Sequence, residues 1–534
     1  MAERRNPTEE AGARAALQDA TARLVYDMYH KLSMRAFGAA GVRRKRAWGA
    51  PVLGRAGQAV CVQSAIGQGG PCSALREEWP AAIVVLEALT RFVPPETIRA
   101  VLTQTGRHSQ RIRRLPATTV VWLVIAIGIW TDLDLPALFR QVTGTLRSLL
   151  FVMSADPPPC KAALSQARTR LGACCMRQLF VRTATPIAVH RTGGAFYKGL
   201  RLMAIDGVTF DIPDTPGNVA AFGRPKTRRN GEPVDGAYPQ IHALFLSETG
   251  THLVVEAFVK QAKKSEYPMA ASLLRKVPLH SLVLWDRGFY GYSSLLQAQR
   301  RNAHVVGRVA GHVDFEVVRP LDDGSFLATI YPTRSDRRRH RNGLLVRVIE
   351  YTFDDPHRTG HGQRHRLVTT LLDANTHSAT ELVVLYHQRW EIEIGNDELK
   401  THQLNRLVDL RSRTPCGVLQ ELYGILLAYN AVRYFMHEAA LSVDIDPRRL
   451  SFIHAVRVIR ETAPHMRAAA TERLPFLYAA MIRHIAQGRL PLRDNRINPR
   501  VVKKKMSNFA KKRPEHCHPP QPQTSFEQAV VILK

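Results

Sequence analysis

The sequence predicts an α/β protein in which a helical amino-terminal region precedes a core of strands and helices interrupted by a β-rich insertion. Three observations predict it. Hydrophobic spacing is helical from about residue 77 to 195 and becomes strand-like near 196. The stretch "SLVLWDRGFYGYSSLLQAQRRN" reads as an all-apolar buried strand, a carboxylate, a glycine turn and a helix, and open α/β sheets place ligands at the carboxyl ends of such strands. Short β-like runs, "DFEVV", "FLATIY" and "LLVRVIEYTF", then fill about 308–370.

Taken in order, residues 1–76 are dominated by Ala, Gly and Arg, show little periodicity in "GVRRKRAWGAPVLGRAGQ", and are expected to be a disordered extension. Residues 77–195 form the helical region. There "PPETIRAVLTQTG" carries proline at its start and glycine at its end, as helix boundaries require. "LPATTVVWLVIAIGIWT" is apolar but short and interrupted by proline and threonines, so it predicts a buried core helix rather than a membrane span. "GRHSQRIRRLP" and "ALSQARTRLG" are basic.

The core is placed at 196–445. "LRLMAIDGVTFDI" predicts a strand with Leu200, Leu202 and Ala204 on one side and Asp206 at its end, and "IHALFLS" and "HLVVEAFV" predict a meander beside it. The insertion carries a loop, "RSDRRRHRNG", whose Arg337, Arg338, Arg339 and Arg341 form a basic tip. "LQELYGILLAYNAVRYFMHEAA" has the spacing of a packed helix. Residues 446–534 read as a helical and basic carboxyl-terminal tail, mobile beyond 488.

Lysine and arginine outnumber aspartate and glutamate by 75 to 45, a net charge of +30, which makes nucleic acid the expected partner ahead of an anionic membrane. Seven scattered cysteines without a CxxC pair argue against a zinc site or a disulfide scaffold and suit a reducing cytoplasm. The amino terminus, "MAERRNPTEE", lacks the apolar run of a signal peptide.

The segment "YHQRWEIEIGNDELK" then acquires meaning. On one α-helix Tyr386, Arg389, Glu393 and Lys400 fall within an arc of about 60°, while Glu391 and Glu398 point away. Such a stripe suits a metal-ligating carboxylate flanked by groups that grip a polyanion. A solvated face with i,i+4 charge pairs has the same pattern, and Asp397 lies on the same side as Glu393. Trp390 is a candidate to stack on an unpaired base, with a core tryptophan as the alternative. Asp206, Asp286 and Glu393 together make the set that two-metal phosphoryl transfer needs, with hard Mg²⁺ ions held about 4 Å apart by oxygen ligands. On spacing alone, Asp211 and Asp214 compete with Asp206.

"AIDG", "LVLWDRGFYGY" and Tyr-x2-Arg-x3-Glu-x6-Lys, in this order, resemble the DDE transposases of the insertion sequence 4 family, with their Tyr-Arg-Glu-Lys signature. The resemblance extends to "FVPPETIRAVL", "ALSQARTRLG", "GNVAAFGRP", "YPQIHALFLSETGTH" and "VLQELYGILLAYNAVR", so it covers roughly residues 77–513. It implies a ribonuclease H-like catalytic core with a β-rich insertion and a DNA-binding role for the helical region. It further implies Asp206, Asp286 and Glu393 as the triad, with Tyr386, Arg389 and Lys400 on the phosphates of the element's end. The implied cofactor is a pair of Mg²⁺ ions, replaceable by Mn²⁺. The implied partners are double-stranded DNA, as terminal inverted repeats and target, and a second copy in a DNA-bound dimer. No membrane is expected, and the implied location is the bacterial cytoplasm at the nucleoid. Cut-and-paste transposition is the expected activity, against a nuclease without strand transfer or an inactive DNA-binding relic.

Overall fold

The computed structural model describes residues 87–533 except 110–114, 151–158, 230–231, 262–266, 405–408, 492–500, 503–509 and 519–520. The extension expected at 1–76 lies outside the described residues, as does most of the basic run 503–513.

Among the described residues five helices come first: α1 (Glu87–Phe92), α2 (Pro95–Gln104), α3 (Ala117–Ile129), α4 (Leu135–Leu150) and α5 (Lys161–Thr183). Proline stands at the first position of α2, where no intrahelical donor is lost. The apolar run becomes α3, buried continuously from Val120 to Ile129, as a core helix should be. Among the described residues no helix is long and apolar enough to cross a membrane.

The core strands and helices follow as β1 (Phe196–Tyr197), β2 (Leu200–Asp211), α6 (Pro216–Phe222), β3 (Lys226–Arg229), β4 (Glu232–Asp235), β5 (Gln240–Glu248), β6 (Val254–Gln261), α7 (Tyr267–Leu274), β7 (Ser281–Trp285), α8 (Tyr292–Arg300) and β8 (His304–Arg308). The insertion comprises β9 (Glu316–Pro320), β10 (Phe326–Ile330), α9 (Arg334–Arg338), β11 (Leu344–Phe353) and β12 (His365–Thr369). After it come α10 (Ala379–His387), α11 (Trp390–Asp397), α12 (Pro415–Ser442), α13 (Phe452–Ala468), α14 (Leu474–Gln487), β13 (Val501–Val502), β14 (Ala510–Lys511), α15 (Phe526–Ala529) and β15 (Val530–Ile532).

One sheet runs in the order β6-β5-β2-β7-β8-β12-β11-β10-β9, with β1 beside β2 and β15 beside β11. β2, β5 and β6 are the antiparallel meander, and β7 and β8 lie parallel to β2, reached through α7 and α8. This is the ribonuclease H-like sheet. The insertion continues it: β12 pairs antiparallel with β8, so the outer edge of the core is covered rather than left as a template for aggregation.

Side-chain parity divides the sheet into two faces. Met203, Ile205, Val283 and Trp285 pack towards α7 and α8, while Leu202, Ala204, Leu282 and Leu284 pack with Leu382, Leu385, Tyr386 and Ile392 of α10 and α11. A third cluster joins α1–α5 to α12–α14 and to Val208 and Phe210 at the far end of β2. Here α3 and α12 approach closely because the contact positions are small: a Cβ on Gly424 would lie 2.6 Å from the Val124 carbonyl oxygen, and one on Gly128 2.6 Å from the Ala428 Cβ. The basic helix α5 turns Arg168 inward, where its Nε donates to Gln420 Oε1 (2.9 Å) and its Nη2 to Ser412 Oγ (3.0 Å), so this arginine braces α12.

At the other end of the chain, β15 pairs with residues 351–353 of β11, and Asp355 accepts backbone hydrogen bonds from Gln523 and Thr524. Phe526 stacks on His387, with centroids 3.9 Å apart. The final residues therefore return to the sheet, where β11 extends beyond its pairing with β10 and offers unpaired backbone.

Candidate active site

Asp206 is not at a strand end, as its sequence suggests, but midway along β2. The parallel ladder with β7 stops at Ile205↔Trp285, whereas the antiparallel ladder with β5 continues from Asp206↔Phe245 to Asp211↔Gln240. The hairpin partner thus keeps β2 extended where β7 has turned away. Asp286 is the residue after Trp285, and its Oδ1 accepts from the Arg287 amide (2.8 Å) at the start of a 3₁₀ turn. By parity both carboxylates belong to the face covered by α10 and α11.

The segment above them is not one regular helix. α10 stops at His387, Gln388 and Arg389 donate i→i−3 bonds to Leu385 and Tyr386, and α11 restarts at Trp390. A π-helical stretch, Glu398–Leu404, then follows. These departures change which side chains share a face. Tyr386 is buried in the core of the covered face, and Arg389 lies with its guanidinium 5.9 Å from the Tyr386 ring centroid. Arg389 Nη2 donates to Glu393 Oε1 at 2.7 Å. Lys400 is carried elsewhere: its Nζ donates to the Thr209 carbonyl (2.7 Å) and pairs with Asp409 (3.2 Å), about 10 Å along β2 from Asp206. The single stripe is therefore two groups, Tyr386, Arg389 and Glu393 beside the aspartates and Lys400 farther along the same strand. Trp390 is half-buried and lies outside the three core clusters.

The competing carboxylates are engaged elsewhere. Asp211 accepts from Gln240, Asp214 pairs with Arg224, and exposed Asp397 faces His402. Arg337, Arg338 and Arg339 are exposed on and beside α9, with Arg337 3.5 Å from Glu316.

Electrostatics tie the central groups together. Burial pushes the Asp206 carboxyl up to about 6, and the charges of Glu393 and Asp286 act in the same direction. Burial works against the Arg389 guanidinium, yet Tyr386, Glu393 and Asp286 hold its pKa above the ordinary value. Burial raises the Tyr386 phenol. The Tyr386 hydroxyl and Arg389 Nε are both buried without a hydrogen-bond partner among the described residues. Two unspent donors in such a place suit an anion, since a buried polar group left unmade costs about 1–3 kcal/mol.

The donor chemistry fits a hard divalent ion, because Asp206, Asp286 and Glu393 offer only carboxylate oxygens. Among the described residues, however, no three His, Cys, Asp or Glu side chains converge closely enough to share one. Two of the carboxylates have side-chain partners instead: Arg389 on Glu393, and Asn396, whose Nδ2 donates to Asp206 Oδ2 at 2.8 Å. Asn396 lies one turn beyond Glu393, so helical spacing was a signal that the sequence analysis missed.

Glu391 and Glu398 do point away, into a cluster with no local signal. His252, in the β5–β6 turn, sits 3.3 Å from Glu391 and 3.4 Å from Glu398; Tyr429 donates to Glu398 at 3.2 Å, and Arg433 Nη2 lies 3.5 Å away. Burial alone would raise the Glu398 carboxyl, but Arg433 and then His252 hold it below the ordinary value. This buried group fastens the end of α11 to α12.

Comparison with known proteins agrees with this architecture. Residues 83–181 match the family model described as insertion element 4 transposase N-terminal, and residues 197–431 match the transposase DDE domain. Transposase InsG for insertion sequence element IS4, from Escherichia coli strain K12, is 31% identical over 427 residues, spanning 79% of this chain and 92% of that one. A cryo-EM structure of the piggyBac transposase synaptic complex with hairpin DNA covers 74% of this chain and 85% of that chain at 11% identity and a TM-score of 0.36. With both family models matched in order and a relative aligned over nearly its whole length, this chain belongs to the insertion sequence 4 family of DDE transposases, enzymes of DNA transposition that generally use divalent metal ions.

Proposed function

We propose that this transposase cuts both strands at the ends of its element and joins the freed 3′-OH to target DNA, with Asp206, Asp286 and Glu393 holding Mg²⁺, or Mn²⁺ in substitution, at one site. The observation that carries the reading is the register of β2 and β7: Asp206 and Asp286 are each the next residue after the last parallel pair, on the face that Glu393 overhangs. When bound, divalent ions supply activation of the attacking oxygen and charge for the leaving one.

The chain's own residues position the DNA. Arg389 offers a planar fork for a terminal phosphate and Tyr386 a neutral donor, both with hydrogen-bonding capacity unspent among the described residues. Lys400 contributes a point charge farther along β2, which suits a second phosphate rather than the scissile one. Asn396 steadies the Asp206 carboxylate by donating to Oδ2. In this reading Trp390 stacks on an unpaired base, the arginines at 337–339 meet flanking DNA, and the helical region 77–195 binds the terminal repeats. A dimer on paired ends, working at the bacterial nucleoid, completes the proposal.

The test is cleavage and joining of a duplex carrying the DNA that flanks the reading frame. Asp206→Ala, Asp286→Ala and Glu393→Ala should each abolish nicking while end-binding persists, and Asp397→Ala should do much less. Near wild-type nicking by Glu393→Ala removes that residue from the site. Cleavage without joined products would make the protein a nuclease.

A further inference from the structure

We propose that Arg389 has a second role besides gripping DNA: in the DNA-free protein it occupies Glu393, and a DNA phosphate must draw it off before that carboxylate can turn to a divalent ion. The inference rests on the proposed reading of Glu393 as a metal-site residue and adds an order of assembly to it.

Four observations carry it. Arg389 and Glu393 are one helical turn apart with a 2.7 Å charge-assisted hydrogen bond, and their side chains are 12% and 32% exposed, so water screens the pair only in part. The guanidinium spends Nη2 on one carboxylate oxygen while its Nε stays buried and without a partner among the described residues. The Tyr386 hydroxyl beside it is also buried without a partner among the described residues. Among the described residues no three carboxylates converge, although Asp206 and Asp286 share a face and α11 lies over it.

A phosphodiester resolves all four at once. Its two non-bridging oxygens can take Nε and Nη2 of the fork together, with Tyr386 donating to either, so the arginine exchanges a half-used pair for a bidentate one. Glu393 then loses its counter-cation and has its acceptor capacity free. Asp206 needs no such exchange, because Asn396 is neutral and occupies one oxygen only. Arg389 cannot neutralise Glu393 and a phosphate in full at the same time, so DNA and the divalent ion strengthen each other's binding, and by linkage the effect is reciprocal.

The experiment measures Mn²⁺ binding through loss of the free-ion EPR signal, with and without a duplex carrying the DNA that flanks the reading frame. A second duplex has uncharged methylphosphonates at its terminal phosphates. Wild-type protein should bind Mn²⁺ about tenfold more tightly with the native duplex than without it, and gain little from the methylphosphonate duplex. Arg389→Gln should bind Mn²⁺ about tenfold more tightly than wild type without DNA and gain almost nothing from the duplex. Arg389→Lys, which keeps the charge, should stay near wild type without DNA. A folded Arg389→Gln protein that binds Mn²⁺ no better than wild type overturns the proposal, as does equal coupling to both duplexes. If Arg389→Gln does not fold, the methylphosphonate comparison on wild type decides alone. Glu393→Gln separates the underlying reading: if it leaves Mn²⁺ affinity unchanged, Glu393 is not a ligand and the site assignment itself fails.

Discussion

Asp206→Asn should make the metal-free protein more stable while destroying its activity. The Asp206 carboxyl is pushed up from 3.8 to about 6, first by burial. A carboxyl whose pKa is higher in the folded state penalises folding wherever the unfolded chain would release the proton first. The penalty is complete above about pH 6, fades between 6 and 4, and is absent below 4. At about 1.4 kcal/mol per pKa unit, a shift of roughly two units sets a ceiling near 3 kcal/mol, which partial solvent access reduces to roughly 1–3 kcal/mol. Asparagine keeps an oxygen for the Asn396 amide, so the 2.8 Å hydrogen bond survives and the comparison isolates the charge. Thermal unfolding in EDTA at pH 7.5, 5 and 4 measures it. The variant should melt higher than wild type at pH 7.5, by less at pH 5 and not at all at pH 4. Added Mg²⁺ should raise the wild-type midpoint and leave the variant's unchanged, because only a native state that binds the ion gains from it. A variant that is no more stable at pH 7.5, or a difference that does not depend on pH, refutes the reasoning.

Glu398→Leu should cost about 3–5 kcal/mol, because Arg433 is left buried without its carboxylate, and simultaneous Arg433→Met should recover most of it in denaturant melts. Gly424→Val should destabilise by about 1–3 kcal/mol or more by forcing α12 off the Val124 carbonyl, measured by the same melts. Replacing Arg337, Arg338 and Arg339 with alanine should flatten the plot of log K against log[salt] by about 0.9 per phosphate released, and an unchanged slope would assign the tip to solvent. Deleting residues 526–534 removes β15 from β11 and the Phe526 ring from His387, at the end of the helix that precedes Arg389. Cleavage should fall by up to about a hundredfold from misplacement of that turn, with filter binding to the element's end less affected.

Much of this protein was legible in local pattern. The change from helical to strand period near 196 marked the start of the sheet, the short apolar run foretold the burial of α3, and the strand–carboxylate–glycine order placed Asp286 just past the end of β7. The Tyr-Arg-Glu-Lys spacing singled out a segment that packs over the sheet face to which Asp206 and Asp286 belong. Local pattern could not tell how that segment is held. A uniform turn of 100° per residue put Lys400 beside Glu393, whereas a break at 388–389 and a π-helical stretch send it to Thr209 and Asp409. Both departures accompany distant partners: Tyr386 joins the core over β7, and Glu398 meets His252 and Arg433 from other parts of the chain. In the same way β2 appears to end at Asp206 only until β5 is seen to pair with it through Asp211. The sequence by itself determined which residues could carry the chemistry, because side-chain type and local period are properties of a short window. Only the tertiary structure decided which of them meet, because burial and strand pairing are set by partners from 29 to 190 residues away, whose identity no short window contains.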